Sequence, residues 1–79
     1  MKYSVTVTLK KDVLDPQGKV VENTLRNIGM NNLISVRQGK YFKIEVKEKD
    51  EVVAKKKLIQ MCEKLLVNLI IEDYKIDRL

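Results

Sequence analysis

The chain has 79 residues, a formal charge of +5 from 16 basic and 11 acidic side chains, one cysteine (Cys62) and no histidine. That length makes a single domain, residues 1–79, whose small core leaves a partner subunit as the expected extra source of stability. Without histidine there is no Ser-His or Cys-His nucleophilic pair, a lone cysteine forms no internal disulfide, and no apolar run approaches the ~20 residues of a membrane helix, so a soluble protein of a reducing cytoplasm is expected.

Lys2 to Lys10 alternates strictly, with Tyr3, Val5, Val7 and Leu9 on one face and Ser4, Thr6 and Thr8 on the other. Period two with β-branched residues predicts a strand that buries one face. No signal-peptide pattern opens the chain. Asp15 and Pro16 then announce a helix, the carboxylate as N-cap and the proline at a position that needs no N–H. Gly18 in that first turn is anomalous, because glycine costs a helix about 1 kcal/mol relative to alanine. Val21, Thr24, Leu25 and Ile28 recur at helical spacing as the core stripe, Lys19, Glu22, Asn23, Arg26 and Asn27 are read as facing water, and Gly29 stops the helix.

Leu33 to Gln38 has strand character, and Gly39 punctuates an expected hairpin into Lys40 to Lys47, where Phe42, Ile44 and Val46 alternate with Tyr41, Lys43 and Glu45. Lys49-Asp50-Glu51 opens a second helix with acidic residues at its positive end. Its stripe of Ala54, Leu58, Met61, Cys62 and Leu65 is the second half of the core, and Asn68 is its expected stop. Ile70 to Arg78 completes the pattern as a last strand. The order β-α-β-β-α-β predicts an α+β fold, a ferredoxin-like sandwich with a four-stranded, mainly antiparallel sheet and two helices on one face. The other face stays open to a neighbour.

That topology hosts many functions, so function must come from sites. Cys62 lies on an apolar stripe and reads as a core residue. Asp12 and Asp15 are close in sequence, but nothing apolar isolates them into an acid–base pair. The turn Lys10-Lys11-Asp12-Val13-Leu14 lacks the glycine-rich, arginine-bearing phosphate cradle of acylphosphatases. No CxxC and no calcium-loop spacing is present. Tyr41 and Phe42 are adjacent and must point to opposite faces, which leaves one ring for stacking on a base. The charges are interleaved, the pattern of a solvated surface. A small binding or assembly module remains.

Particular runs then say more. Thr6-Val7-Thr8-Leu9-Lys10, Val13-Leu14-Asp15-Pro16-Gln17-Gly18-Lys19, Val36-Arg37-Gln38-Gly39-Lys40-Tyr41, Met61 to Asn68 and Ile71-Glu72-Asp73-Tyr74 resemble the PurS family in order and spacing across essentially the whole chain. This family is the small subunit of phosphoribosylformylglycinamidine (FGAM) synthase. Leu69 stands where the family usually carries proline, and Lys55-Lys56-Lys57 is more basic than expected.

The resemblance implies a non-catalytic subunit that dimerises through its sheet, as a dimer or a pair of dimers, with or without exchanged segments. It bridges the large synthetase subunit (PurL) and the glutaminase subunit (PurQ). It carries no cofactor of its own, whereas the assembled complex uses ATP, magnesium and glutamine to convert formylglycinamide ribonucleotide to its amidine in purine biosynthesis. The candidate partner or dimer surface comprises Asp15, Pro16, Gln17 and Gly18, then Arg37, Gly39 and Lys40, then Asn68, Glu72, Asp73 and Tyr74. The plainer alternatives are a helix start, a turn and a capped helix end kept for folding. An ACT-like dimer module that binds an amino acid at its seam is the competing functional class, although lysines and Asp12 stand where it usually presents a glycine.

Overall fold

The computed structural model describes residues 1–79. β1 (Lys2–Leu9) is the central strand of a three-stranded sheet, with β2 (Gly39–Glu45) and β3 (Glu72–Arg78) antiparallel on either side of it. α1 (Pro16–Asn27) lies between β1 and β2, and α2 (Glu51–Met61) crosses from β2 to β3. β2 and β3 therefore run parallel to each other with β1 inserted between them, a split βαβ unit.

The alternation of β1 decides where the core sits. Tyr3, Val5 and Val7 are fully buried, and Ala54 and Leu58 of α2, with Cys62 directly after it, pack against them as an i, i+4, i+8 row. Val5 is flanked by Phe42 and Ile76, Val7 by Lys40 and Tyr74, and Val67 closes the cluster. Each large apolar member contributes about 1.5–3 kcal/mol. The opposite face presents Ser4, Thr6 and Thr8 flanked by Lys43 and Asp77, Tyr41 and Lys75, and Gly39 and Asp73.

Met61 and Leu65 were expected in the core stripe and are exposed, Leu65 at 84%. After Met61 the helix widens into a π turn, Cys62–Leu66, with the Val67 N–H donating to the Cys62 carbonyl at 2.9 Å. The extra residue in that turn brings Leu66 to the edge of the core and leaves Leu65 outside. The last strand starts at Glu72, so Ile70 falls in the preceding turn, 85% exposed.

The expected fourth strand, Leu33 to Gln38, does not form, and Gly39 begins β2 opposite Thr8 rather than turning a hairpin. Four backbone groups of residues 33–38 find side-chain partners instead of a neighbouring strand. The Val36 and Gln38 N–H groups donate to the carboxylates of Glu22 and Asp15, and the Leu33 and Ile34 carbonyls accept from Arg26. The segment is an irregular strap laid along α1.

A further correction concerns α1. No α1 side chain belongs to the core, and only Gly18 and Glu22 of this helix are buried. Of the expected stripe, Val21 is 41% and Ile28 66% exposed. Glu22, expected in water, is inside. The helix ends on Gly29 at φ +105°, where the Gly29 and Met30 N–H groups donate to the Arg26 and Leu25 carbonyls in a Schellman closure. With its strap, α1 forms an arm beside the sheet rather than a second layer on it. The radius of gyration is 16.0 Å, against roughly 12 Å for a compact chain of this length.

Candidate functional site

The run Asp15-Pro16-Gln17-Gly18 divides into two pairs. Asp15 is buried and caps α1, its Oδ1 accepting the Gly18 N–H at 2.9 Å and its Oδ2 the Gln38 N–H at 2.7 Å. These two donors, the Gln38 bond first, hold the carboxyl below its ordinary range; the Arg37 charge adds to them, and partial burial opposes them. Gly18 is explained by the same packing. A Cβ there would overlap the Asp15 carboxylate and stand 2.8 Å from the Val36 carbonyl oxygen. Pro16 and Gln17 point outward and border a shallow apolar depression with Val20, Val21 and Gln38.

One turn later Glu22 repeats the device. Its Oε1 accepts the Val36 N–H at 3.0 Å, while Oε2 receives Arg26 at 2.9 Å and Lys19 at 3.3 Å. The Val36 bond is the leading reason why this carboxyl is also lowered, with burial opposing and the two cations assisting. Arg26 continues to the Leu33 and Ile34 carbonyls, and Arg37 returns from the strap to the Lys10 and Val13 carbonyls at 3.0 and 2.9 Å. Glu22 and Arg26 were missed as structural residues. Their i, i+4 spacing was the available signal.

Six of the expected residues meet in one place. Asp15, Pro16, Gln17, Gly39, Lys40 and Glu72 border a cleft of about 330 Å³ whose floor is Val7 and Leu9. Gly39 lies close against β1, where a Cβ would stand 2.5 Å from the Val7 carbonyl oxygen. Lys40 reaches across to Glu72 at 3.5 Å, and Glu72, buried, also accepts the Asn68 N–H at 2.8 Å. Asn68 orders its own turn, its Oδ1 accepting from Ile70 N–H and its carbonyl from the Ile71 and Glu72 N–H groups.

The remaining residues lie apart. Arg37 braces the strap. Asp73 projects from the open face and pairs with Lys10 at 3.5 Å. Tyr74 turns to the helix side and packs against the core, where burial, reinforced by Glu63 and Cys62, raises its hydroxyl.

This arrangement organises surfaces. The carboxylates of Asp15, Glu22 and Glu72 are engaged by backbone N–H groups and internal cations, and Cys62 is buried with its thiol raised by that burial and by Glu63. No cluster of carboxylates and cysteine converges to hold a metal ion, and no helix is long and apolar enough to cross a membrane. Large apolar side chains are exposed as well: Leu14 just before α1, Val20 and Ile28 on or next to it and Ile34 on the strap are 71%, 65%, 66% and 89% accessible.

Residues 2–79 match the family model described as PurS, phosphoribosylformylglycinamidine (FGAM) synthase. The PurS subunit of phosphoribosylformylglycinamidine synthase from Bacillus subtilis is 43% identical over 77 residues, covering 94% of this chain and 87% of that protein. The crystal structure of Methanocaldococcus jannaschii PurS superposes with a TM-score of 0.85 at 38% identity, covering 96% of this chain and 92% of that one. A chain in the structure of PurLQS from Thermotoga maritima gives 0.92 at 31% identity, covering 99% and 95%. The chain belongs to the PurS family of FGAM synthase subunits.

Proposed function

We propose that this chain is the non-catalytic small subunit of FGAM synthase, holding the PurL synthetase and the PurQ glutaminase in one assembly. The observation that carries the reading is the near-complete match to PurS chains, including the one in the Thermotoga maritima PurLQS structure. The exposed apolar arm gives the reading its physical basis. The assembled complex converts formylglycinamide ribonucleotide to its amidine with ATP, magnesium and glutamine, and a bridging subunit keeps the two active sites in an orientation that lets ammonia pass between them. This subunit acts in the cytoplasm as one domain, residues 1–79, works as a homodimer or a pair of dimers, and binds no cofactor itself. The ACT-like alternative finds no support among the matched relatives.

Pro16 and Gln17, flanked by Val20 and Val21, are the part of the candidate surface that meets another subunit; Asp15, Gly18 and Arg37 hold that surface in shape. Co-purification of the chain with its synthetase and glutaminase tests the assembly role, together with glutamine-dependent FGAM formation in the presence and absence of the chain. A stable complex that loses glutamine-dependent turnover when the chain is withheld is the expected result. Full glutamine-dependent turnover without the chain refutes the role. Gln17→Ala should fold normally and weaken either self-association or subunit binding several-fold; unchanged assembly removes Gln17 from the surface.

A further inference from the structure

Residues 11–38, which comprise α1, its strap and the turn leading into them, are bonded almost entirely to one another. Asp15 holds the Gln38 N–H, Glu22 the Val36 N–H, Arg26 the Leu33 and Ile34 carbonyls, and Arg37 the Val13 carbonyl. The ion pairs of this arm, Lys19 and Arg26 with Glu22, are internal as well. Bonds that leave it end on one acceptor, the Lys10 carbonyl, which takes the Val13 N–H at 2.9 Å and Arg37 at 3.0 Å. None of its side chains belongs to the core or to the apolar residues packed against the core. Where the arm faces the sheet, it does so across the cleft floored by Val7 and Leu9, with Pro16, Gln17 and Gln38 on its own side.

The two joints between arm and sheet are sharp. Lys10 donates its N–H to the Ile71 carbonyl on the sheet side and turns its own carbonyl to the arm. Gln38 donates its N–H to Asp15 in the arm, and the next residue, Gly39, is already paired with Thr8 of β1. Both joints therefore sit at the same end of two neighbouring strands, and a few backbone angles there define one axis. We propose that residues 11–38 are a rigid arm hinged at Lys10 and Gln38: its own bonds fix its shape, and its direction is fixed only when another subunit covers its exposed apolar side. The second half of this inference rests on the assembly role proposed above, with self-association counted as assembly. The chain supplies bonds that set the fold of the arm and none beyond Lys10 that set its angle to the sheet. Contacts made by Val20 and Ile28 across an interface supply the missing restraint, and the ensemble of arm angles collapses to one.

The test reads direction and shape separately on the full chain. Spin labels on Asn23→Cys in the arm and Lys56→Cys on α2, both exposed, report the angle of the arm, while buried Cys62 stays unlabelled. Labelled chain is diluted into unlabelled chain so that each assembly carries one pair. Hydrogen exchange at the Val36 and Gln38 amides reports the internal bonds of the arm. Both are measured on the chain alone, with its synthetase and glutaminase subunits, and with Val20→Glu and Ile28→Glu combined to oppose association; neither side chain is in the core. The two amides should stay protected throughout, while a single narrow distance in the assembled chain becomes a broad distribution in the dissociated variant. The same narrow distance in the dissociated variant overturns the hinge. Loss of protection at Val36 and Gln38 overturns the rigid arm. A variant that associates like the wild type with an unchanged distance, or a broad distance in every state including the subunit-bound one, overturns the fixing of direction by assembly. If the wild-type chain binds neither enzyme subunit, the FGAM synthase role fails, and the self-associated and dissociated chains still decide the hinge.

Discussion

Gly18→Ala separates two effects of opposite sign. Residue 18 lies in the first turn of α1, where alanine improves helix propensity by about 1 kcal/mol. Against this, the new Cβ meets the Asp15 carboxylate and, at 2.8 Å, the Val36 carbonyl oxygen. Neither neighbour gives way freely. The Asp15 carboxylate is fixed by the Gly18 and Gln38 N–H groups, and Val36 is backbone, tied by its own N–H to Glu22. Overpacking of this kind costs about 1–3 kcal/mol, and displacing the cap costs about 1 kcal/mol more, so the substitution should destabilise by about 1–3 kcal/mol net. In a chain of this size that lowers Tm by at least about 4 °C. Urea and thermal unfolding at one fixed protein concentration are the assay, because self-association makes Tm concentration-dependent. Asn23→Ala, on the exposed side of the same helix, is the propensity control and should stabilise by about 0.5 kcal/mol. If Gly18→Ala is as stable as the wild type or more so, close packing is not the reason for this glycine.

Acid should loosen the strap before it opens the core. Asp15 and Glu22 are held below their ordinary values of 3.8 and 4.5, so their contribution is complete above those values and is lost as pH falls through the lowered ones. The urea midpoint should be level near neutrality and decline below 4.5, with Asp15→Asn combined with Glu22→Gln giving a shallower acid limb; Glu48, lowered by Lys57, retains part of it. Gly39→Ala forces a Cβ to 2.5 Å from the Val7 carbonyl oxygen and should destabilise by about 1–3 kcal/mol, seen as a lower urea midpoint with an unchanged slope. Leu58→Ala removes the largest α2 side chain of the core and should cost about 2–5 kcal/mol, enough to leave much of the chain unfolded at room temperature.

The residues differ in how legibly they announced these roles. β1, the α2 core row and the burial of Cys62 were readable because period two and period four are imposed by burial within one chain. Leu33 to Gln38 misled because its β-branched and apolar character fits an extended backbone, and it is not paired in this sheet. What holds it is a set of long-range polar bonds from Asp15, Glu22 and Arg26, which composition does not reveal. The outward Leu65 misled because a π turn shifts helical phase by one residue and leaves no signature in propensity.

The α1 stripe is the most instructive of these departures. Val21 and Ile28 were assigned to a core because amphipathic spacing implies burial, and the spacing is present. Within the single chain the burial is missing, since the helix turns its polar Gly18–Glu22 side to the strap and leaves the apolar side outside. Periodicity therefore reported a real requirement and assigned it to the wrong surface. A helix whose apolar side stays exposed while its one carboxylate is buried and satisfied fits the assembly role proposed above. The same run of residues shows both sides of the helix. Asp15 and Gly18 lock the arm to its strap, and Pro16 and Gln17, between them in sequence, stand exposed beside Val20 and Val21, the surface proposed above for a partner.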